Sequence, residues 1–181
     1  MSVESLSGGV KLQEYLDKLA KKVSTAASLN VGFLAGSEAN GKSAPMIAAI
    51  QEYGAPAKGI PPRPFFRNMV KKNKGSWGKM LGDALILHKY DAAVALDAVG
   101  TVMDGQLRES MIDITEPALS PVTLLLRERF GNNPQEITFA DVMKARHDIA
   151  KGVVPDVTGT QAKPLIWTSD LLNSIDHEVK E

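Results

Sequence analysis

The chain has 181 residues, with 21 Lys and Arg against 21 Asp and Glu, and 44% of its residues are hydrophobic. This composition is typical of a single globular domain with a sizeable core, and it excludes a chain that is disordered throughout. The balanced charge argues against a polyanion-binding protein, because such sequences usually carry a clear basic excess. The absence of cysteine excludes disulfides and cysteine-ligated metals, and it fits synthesis in a reducing cytoplasm.

The chain contains neither a secretory signal pattern nor a run of about 20 apolar residues that would span a bilayer. Residues 1–9 are polar and lack an apolar stretch after basic residues. We therefore expect no membrane partner.

Hydrophobic spacing, glycine and proline predict the following elements in chain order. They are helix 10–27, strand 29–34, a polar loop over 36–43, helix 44–53, helices 65–72 and 77–87, helix 90–114, helix 121–130, a turn over 131–134, helix 139–151, a loop over 152–162 and a final strand over 174–179. Gly32 marks a bulge or a close contact within the first strand. Thr138 is a plausible N-cap for the helix that follows it.

The sum is an α+β fold in one domain over 1–181, with a small, mostly antiparallel sheet packed with several helices, one of them long. An apolar stripe along helix 90–114 predicts that this helix faces the core. Its members are Ala93, Leu96, Val99, Met103, Leu107 and Met111. Residues 130–161 are interpreted as a helical and loop extension.

The segment from Lys58 to Arg67 contains three prolines, which hold an extended backbone until Pro64 starts the next helix. Phe65 and Phe66 follow this rigid arm directly. A stiff arm with adjacent aromatics loses little conformational entropy on docking, so it suits burial against another chain. The alternative, at even weight, is that both rings belong to the subunit's own core.

The sharpest chemical motif runs from Gly36 to Ser43 and matches G-x-x-x-x-G-K-[ST]. In a nucleotide site its backbone N–H groups would cradle phosphates, with Lys42 and Ser43 completing the site. Such a site needs a parallel sheet built from repeated strand–helix units, and the chain after Ser43 is predicted to be mostly helical. A flexible polar loop is the favoured interpretation, and P-loop nucleotide binding remains the alternative from another functional class.

The sequence predicts no catalytic residues, no cofactor and no metal. His88, His147 and His177 stand singly, without the spacing of metal ligands. The chain also lacks the pattern of a nucleophile elbow. We therefore expect a protein that is not an enzyme.

The densest basic region lies around the arm and the helix after it. It consists of Arg63, Arg67, Lys71, Lys72, Lys74 and Lys79. A solvated helix face is favoured over contacts with DNA phosphates. A third interpretation is that Arg63 and Arg67 pair with carboxylates of a neighbouring subunit, because Arg is enriched at interfaces.

Three segments together resemble the tail-component, or tail-completion, proteins of long-tailed bacteriophages, also called minor tail or head–tail joining proteins. They are VGFL at 31–34, MIAAIQEYG at 46–54 and IPPRPFFR at 60–67. The family's terminal pattern is held here by PLIWTSDLLNSI at 164–175. Ser169 stands where the family usually has Gly, so the turn there lacks glycine's freedom at positive φ.

The resemblance implies a structural virion protein of the neck, in the collar, head–tail joining or tail-completion position, that assembles as a homo-oligomeric ring around the DNA channel. Its implied partners are the head connector or portal-adjacent proteins and the tail tube or terminator proteins, with DNA passing through without sequence-specific binding. It would be assembled in the host cytoplasm and located in the virion. A tail terminator that caps the tail tube is the alternative. The expected interface residues are Arg63, Pro64, Phe65, Phe66, Arg67 and Trp167.

Overall fold

The computed structural model describes residues 7–24, 28–131 and 133–180, and about 63% of these residues are helical, in an α+β fold. The helices are α1 (Ser7–Val23), α2 (Ala44–Tyr53), α3 (Phe65–Leu87), α4 (Ala92–Asp113), α5 (Pro121–Phe130), α6 (Phe139–Ala150) and α7 (Asp170–Asn173). The strands are β1 (Ser28–Phe33), β2 (Glu38–Ala39), β3 (Lys42–Ser43) and β4 (Ile175–Lys180). No helix in the described part of the chain is long and apolar enough to cross a membrane.

The main sheet pairs the first strand of the chain with the last. β1 and β4 are antiparallel, from Ser28 opposite Lys180 to Phe33 opposite Ile175. Both strands were predicted from the sequence within one residue of these bounds. Helix α4 packs on both strands and along α3, so the sheet and the two long helices form one layered body.

The core of this body lies where α3, α4 and the sheet meet. Its largest fully buried side chains are Phe65, Met69, Leu107, Met111 and Ile175. The stripe predicted along α4 is confirmed at Val99, Leu107 and Met111, which are buried. Ala93, Leu96 and Met103 are half-buried, because α4 has its neighbours on two sides and its buried face is turned slightly from the predicted one.

The predicted break after Lys72 is wrong, since α3 runs without interruption from Phe65 to Leu87. Side chains support the backbone where the break was expected. The amide of Asn73 donates to the carbonyl of Met69 at 2.9 Å, and the Ser76 hydroxyl donates to the carbonyl of Asn73 at 2.8 Å. A glycine inside a helix costs only about 1 kcal/mol, and packing along α4 outweighs that cost at Gly75.

Within the segment 130–161, interpreted as an extension, helix α6 packs against α5, the helix that precedes the segment. The two helices enclose a small core of Leu125, Leu126 and Ala145. Thr138 caps α6 as predicted, in a capping box with Asp141. The helical part of the segment is therefore packed on the rest of the chain through α5.

The ends of three predictions lie outside the described residues. They are the start of the polar N-terminal segment at 1–6, the end of the first helix at 25–27, and position 132 of the turn over 131–134.

Two glycines in α4 give opposite predictions for the same substitution. A Cβ at Gly100 would lie 2.2 Å from a ring carbon of His177, whereas a Cβ at Gly105 would meet nothing within 4 Å. We expect Gly100→Ala to destabilise the fold by roughly 1–3 kcal/mol through overpacking, and Gly105→Ala to stabilise it by up to about 1 kcal/mol. Denaturant unfolding of both variants measures this difference. Equal effects would show that His177 does not occupy the notch at Gly100.

Candidate assembly interface

The start of α3 is capped by a carboxylate from another helix. The N-cap residue Pro64 makes no side-chain cap. Instead, Glu52 of α2 accepts hydrogen bonds from the backbone N–H groups of Phe66 at 2.8 Å and Arg67 at 3.3 Å. Unpaired N–H groups and the positive end of the helix dipole favour an anion at this point. The cap fixes the end of the proline arm against α2.

Arg67 closes the cap from outside. Its Nε lies 2.7 Å from Oε1 of Glu52, and its guanidinium carbon lies 5.2 Å from the centre of the Tyr53 ring. The Glu52 side chain is 6% exposed and the Arg67 side chain 58%. The carboxylate partner of Arg67 in this structure is therefore in its own subunit, while the outer edge of the guanidinium stays accessible.

The two phenylalanines of the arm have different surroundings. Phe65 is 1% exposed and meets Phe33 edge-to-face, with ring centres 6.0 Å apart. Phe66 is half-buried, and one of its ring carbons lies 3.5 Å from the position of a Cβ at Gly32. The sequence left open whether the two rings lie in the subunit's own core or on a surface for another chain. Phe65 lies in the core, and Phe66 lies at the border between the core and the surface. At Gly32 the pairing of β1 with β4 is continuous, without the predicted bulge, and the Phe66 ring lies at ordinary van der Waals distance from the Cβ position.

Arg63 is also an internal residue, because it is only 5% exposed. Its guanidinium donates to the carbonyl of Pro117 at 3.1 and 3.3 Å and to the side chain of Gln51 at 3.2 Å. Burial lowers the pKa of Arg63. Arg63 and Phe65 therefore hold the arm in place from beneath and offer a neighbouring chain almost no surface.

The surface beside the arm is apolar and carries aromatic residues. On α2, Met46 and Tyr53 are 65% and 68% exposed. Between α2 and α3 lies a shallow depression of about 160 Å³ whose lining includes Ala49, Tyr53, Phe66 and Arg67. We call Met46, Ala49, Tyr53, Phe66 and Arg67 the α2–arm surface. Met, Tyr, Phe and Arg are the residue types enriched at the centres of protein interfaces.

The scarcity of charged residues in α2 could have predicted the apolar surface on this helix, but the sequence analysis considered only the proline arm. Glu52 is the only charged residue between Ala44 and Tyr53, and the fold buries it. A short helix without exposed charge leaves apolar residues on its outer face. The role of Glu52 itself was not visible, because it depends on the position of α3.

Trp167, the sixth expected interface residue, packs over a buried arginine. The guanidinium carbon of Arg127 lies 5.1 Å from the centre of the Trp167 ring, and the indole N–H donates to the carbonyl of Gly131. Arg127 donates to the carbonyls of four residues between positions 161 and 166, at 2.6 to 3.2 Å. Burial, followed by the charge of Arg63, lowers the pKa of Arg127 to about 10. Trp167 thus belongs to the junction between the extension and the main body.

The Gly36–Ser43 segment is a tight β-hairpin. β2 and β3 pair antiparallel, and Asn40 and Gly41 turn the chain with φ values of 52° and 67°, as in a type I′ turn. The backbone N–H of Ala44 donates to the carbonyl of Ser37 at 2.9 Å, so it is not directed at a ligand. Both sheets formed by the described residues are antiparallel and two-stranded. The context that a phosphate-binding loop requires is therefore missing from this part of the chain.

Four of the six residues of the basic region have partners within the subunit. Lys72 lies 3.4 Å from Glu109, and Lys79 lies 2.6 Å from Asp83 in the next turn. Arg63 is buried and Arg67 is bound to Glu52. Lys71 and Lys74 are exposed. The pairing of the four favours the interpretation of a solvated helix face over a site for DNA phosphates.

The fold places His177 between two acidic residues that are distant from it in the sequence. Its Nδ1 lies 2.7 Å from Asp104 and its Nε2 lies 3.3 Å from Asp97, both on α4. The ring fills the notch at Gly100, and its side chain is 13% exposed. Burial lowers the pKa of His177, but the hydrogen bonds and charges of the two carboxylates outweigh burial and raise it above 6.5.

The same cluster contains the atoms best placed to hold a metal ion among the described residues. Asp104, Asp176 and His177 each offer one ligand atom, and these atoms lie within 4.8 Å of one another. Carboxylate and imidazole suit Zn²⁺ or Mn²⁺. However, Asp104 and His177 are already at hydrogen-bonding distance, and the backbone N–H of His177 donates to Asp176 at 2.8 Å. The geometry is that of a hydrogen-bonded pair joining β4 to α4.

No protein-family model matches the chain, and comparisons with curated proteins and with solved structures give no match either.

Replacing the buried arginine tests the junction. We expect Arg127→Met to lower the free energy of unfolding by about 3 kcal/mol, because several buried carbonyls lose their donor. Arg129→Met, on the same helix, is the control. Its ion pair with Asp148, at 2.6 Å, is partly exposed, so its loss should cost less than about 1 kcal/mol. Equal losses in denaturant unfolding would contradict the role of Arg127.

The raised pKa of His177 predicts a pH-dependent stability. The protonated ring is stabilised in the folded state, so this contribution is complete below the unfolded pKa of about 6.5. It is lost as the pH rises through the higher folded pKa. We expect the difference in unfolding free energy between the wild type and His177→Gln to shrink over that interval. A difference that is constant from pH 5 to pH 9 would rule out a charged His177 in the folded protein.

Proposed function

We propose that this chain is a structural subunit of the neck of a tailed bacteriophage, acting in head–tail joining or tail completion and assembling as a ring. The observation that carries the proposal is the α2–arm surface. It places exposed Tyr53 beside the half-buried Phe66 of the arm, and exposed Met46 lies seven residues before Tyr53, on the same face of α2. This is the segment that resembles the tail-completion proteins, and the Glu52 cap holds it in a fixed position. A fixed apolar surface loses little entropy when a partner binds.

The charge distribution suits a protein that surrounds passing DNA without holding it. Positive and negative residues are equal in number, and Arg67, Lys72 and Lys79 each lie beside a carboxylate. Contacts with phosphates would otherwise add salt-dependent affinity for DNA. Within this proposal the chain is located in the virion and its partners are connector-side and tail-side proteins.

A tail terminator is the second candidate in the same class. It shares the ring and the α2–arm surface, and it differs in its binding partner. A terminator binds finished tails that lack heads, whereas a joining protein also binds filled heads. Sedimentation of the purified protein with isolated heads and with isolated tails separates the two.

Charge placed on the α2–arm surface should prevent assembly without unfolding the subunit. We expect Met46→Glu and Tyr53→Glu to remain folded, because both side chains are largely exposed, and to fail to form rings because a charge would be buried at the interface. Ring formation is measured by analytical ultracentrifugation and electron microscopy, and joining by the yield of complete virions. The control is Val154→Glu, at an 84% exposed position on the extension.

Rings and complete virions formed by both α2 variants would remove this surface from the mechanism. If Val154→Glu lost assembly to the same extent, the loss would result from the added charge itself and not from its position on the α2–arm surface.

A further inference from the structure

In the part of the chain that the structure describes, two arginines are buried without an acidic partner. Arg63 of the arm is 5% exposed, and Arg127 of α5 is 4% exposed. Arg63 donates to the carbonyl of Pro117 and to the side-chain oxygen of Gln51, and Arg127 donates to backbone carbonyls. All of these acceptors are neutral, whereas a buried charge in a protein is normally paired with an opposite charge. The two arginines therefore leave positive charge unbalanced beneath the surface.

The two positive charges also act on each other. Burial lowers the pKa of Arg127 to about 10, and the nearby charge of Arg63 adds to this effect. A hydrogen bond to a carbonyl satisfies an N–H group, but it does not neutralise the charge of the guanidinium. An anion in contact with both side chains would supply the missing counter-charge.

Both arginines retain N–H groups that such an anion can accept. Arg63 makes one hydrogen bond from each of its three nitrogens, so each terminal nitrogen keeps one N–H group. Nη2 of Arg127 makes a single bond, to the carbonyl of Pro164 at 3.2 Å, and keeps its other N–H group. Nε of Arg127 is buried and has no hydrogen-bond partner among the described residues. Buried donors without acceptors are costly, so the donors of this pair are not fully used by the chain itself.

The two arginines line the same cleft, which has a volume of about 480 Å³. The cleft lies where the arm, the loop before α5 and the segment around Trp167 meet. Clefts of about 300 to 1,000 Å³ are the usual size of small-molecule sites. The polar part of the lining consists of Gln51, Arg63, Ser120, Thr123 and Arg127.

The first turn of α5 forms one wall of this cleft. The Ser120 hydroxyl caps the helix by accepting from the backbone N–H of Thr123 at 3.2 Å, and it lies 2.9 Å from the Thr123 hydroxyl. Whichever hydroxyl donates in that contact, the other keeps its hydrogen for a further acceptor. The start of a helix also carries the positive end of the helix dipole, which favours an anion. The wall therefore adds to the field of the two arginines.

We propose that this cleft binds a phosphate group, held by the guanidinium groups of Arg63 and Arg127 and by a hydroxyl at the start of α5. A phosphate dianion balances two positive charges, and guanidinium groups form strong hydrogen bonds with phosphate oxygens. The ligand is a small anion, because a macromolecular surface would meet almost none of either buried arginine. A bound phosphate would join the arm to α5. The site lies within one subunit, so it does not depend on ring assembly.

Titration of the full-length subunit with inorganic phosphate, at constant ionic strength, tests the site. We expect calorimetry to show saturable binding of one phosphate per subunit. Phosphate should also raise the midpoint of urea unfolding, since a ligand that binds only the folded state stabilises it. Absence of saturable binding by the wild type would overturn the proposal.

Two variants place the binding in the cleft. Arg63→Gln removes one of the charges and should weaken phosphate binding roughly tenfold or more. Its control is Arg129→Gln, which removes the same charge from an ion pair with Asp148 elsewhere on α5 and should bind as the wild type does.

The second variant, Thr123→Glu, supplies a carboxylate inside the cleft. Glu at this position completes a capping box with Ser120, so the variant should fold. We expect it to unfold at a higher urea concentration than the wild type in phosphate-free buffer, and to bind phosphate roughly tenfold or more weakly. Val154→Glu, with the same added charge on the extension, should do neither. If Arg63→Gln does not fold, Thr123→Glu decides the case, and phosphate binding as tight as that of the wild type would overturn the proposal.

The phosphate group can belong to free phosphate or to a nucleotide. Adenosine monophosphate that binds roughly tenfold or more tightly than inorganic phosphate, and loses binding in Thr123→Glu, would identify a nucleotide as the source. Equal affinities would identify free phosphate. Acetate that binds as tightly as phosphate would overturn the assignment, because the cleft would then accept any small anion.

Discussion

The contact between Glu52 and the start of α3 is the constraint on which the rest of this structure depends. Proline at position 64 fixes the backbone but leaves the first N–H groups of α3 without a cap, and the buried carboxylate supplies it. One side chain thereby sets the position of α2, of the arm and of the long helix that carries Phe65 and Met69 into the core. Removing a buried anion from such a site leaves two backbone N–H groups and the Arg67 guanidinium without their acceptor, which is costly.

Polar contacts act beside apolar burial in positioning the C-terminal part of the chain, where Leu165, Leu171 and Ile175 are buried in the core. Arg127 binds the segment after the extension through backbone carbonyls. His177 then fastens the last strand to α4 through Asp104, in a notch that only Gly100 leaves open. The extension and β4 are therefore joined to the main body by directional bonds, which specify one arrangement where apolar packing alone would tolerate several.

Several large hydrophobic side chains remain exposed on the surface of the subunit. They include Met46 and Tyr53 on α2, and Leu12 and Leu16 on α1. Surfaces of this kind are unfavourable in water unless another chain covers them. In the proposed ring, each subunit would gain its final stability from its neighbours, which suits a component that functions only when assembled.

The sequence by itself determined the local elements. Helix 44–53, helix 121–130 and the Thr138 cap are all found as predicted, because spacing, proline and capping act within a few residues. Periodicity also predicted that Val99, Leu107 and Met111 of α4 face the core, whereas the tertiary structure decided which side chains of the arm face inward. Arg63 and Phe65 were expected at an interface and are buried within the subunit, since burial depends on contacts with residues distant in sequence. The tertiary structure also decided that the Gly36–Ser43 segment is a hairpin and that His177 lies beside Asp104. A sequence motif does not specify which strands and helices pack around it.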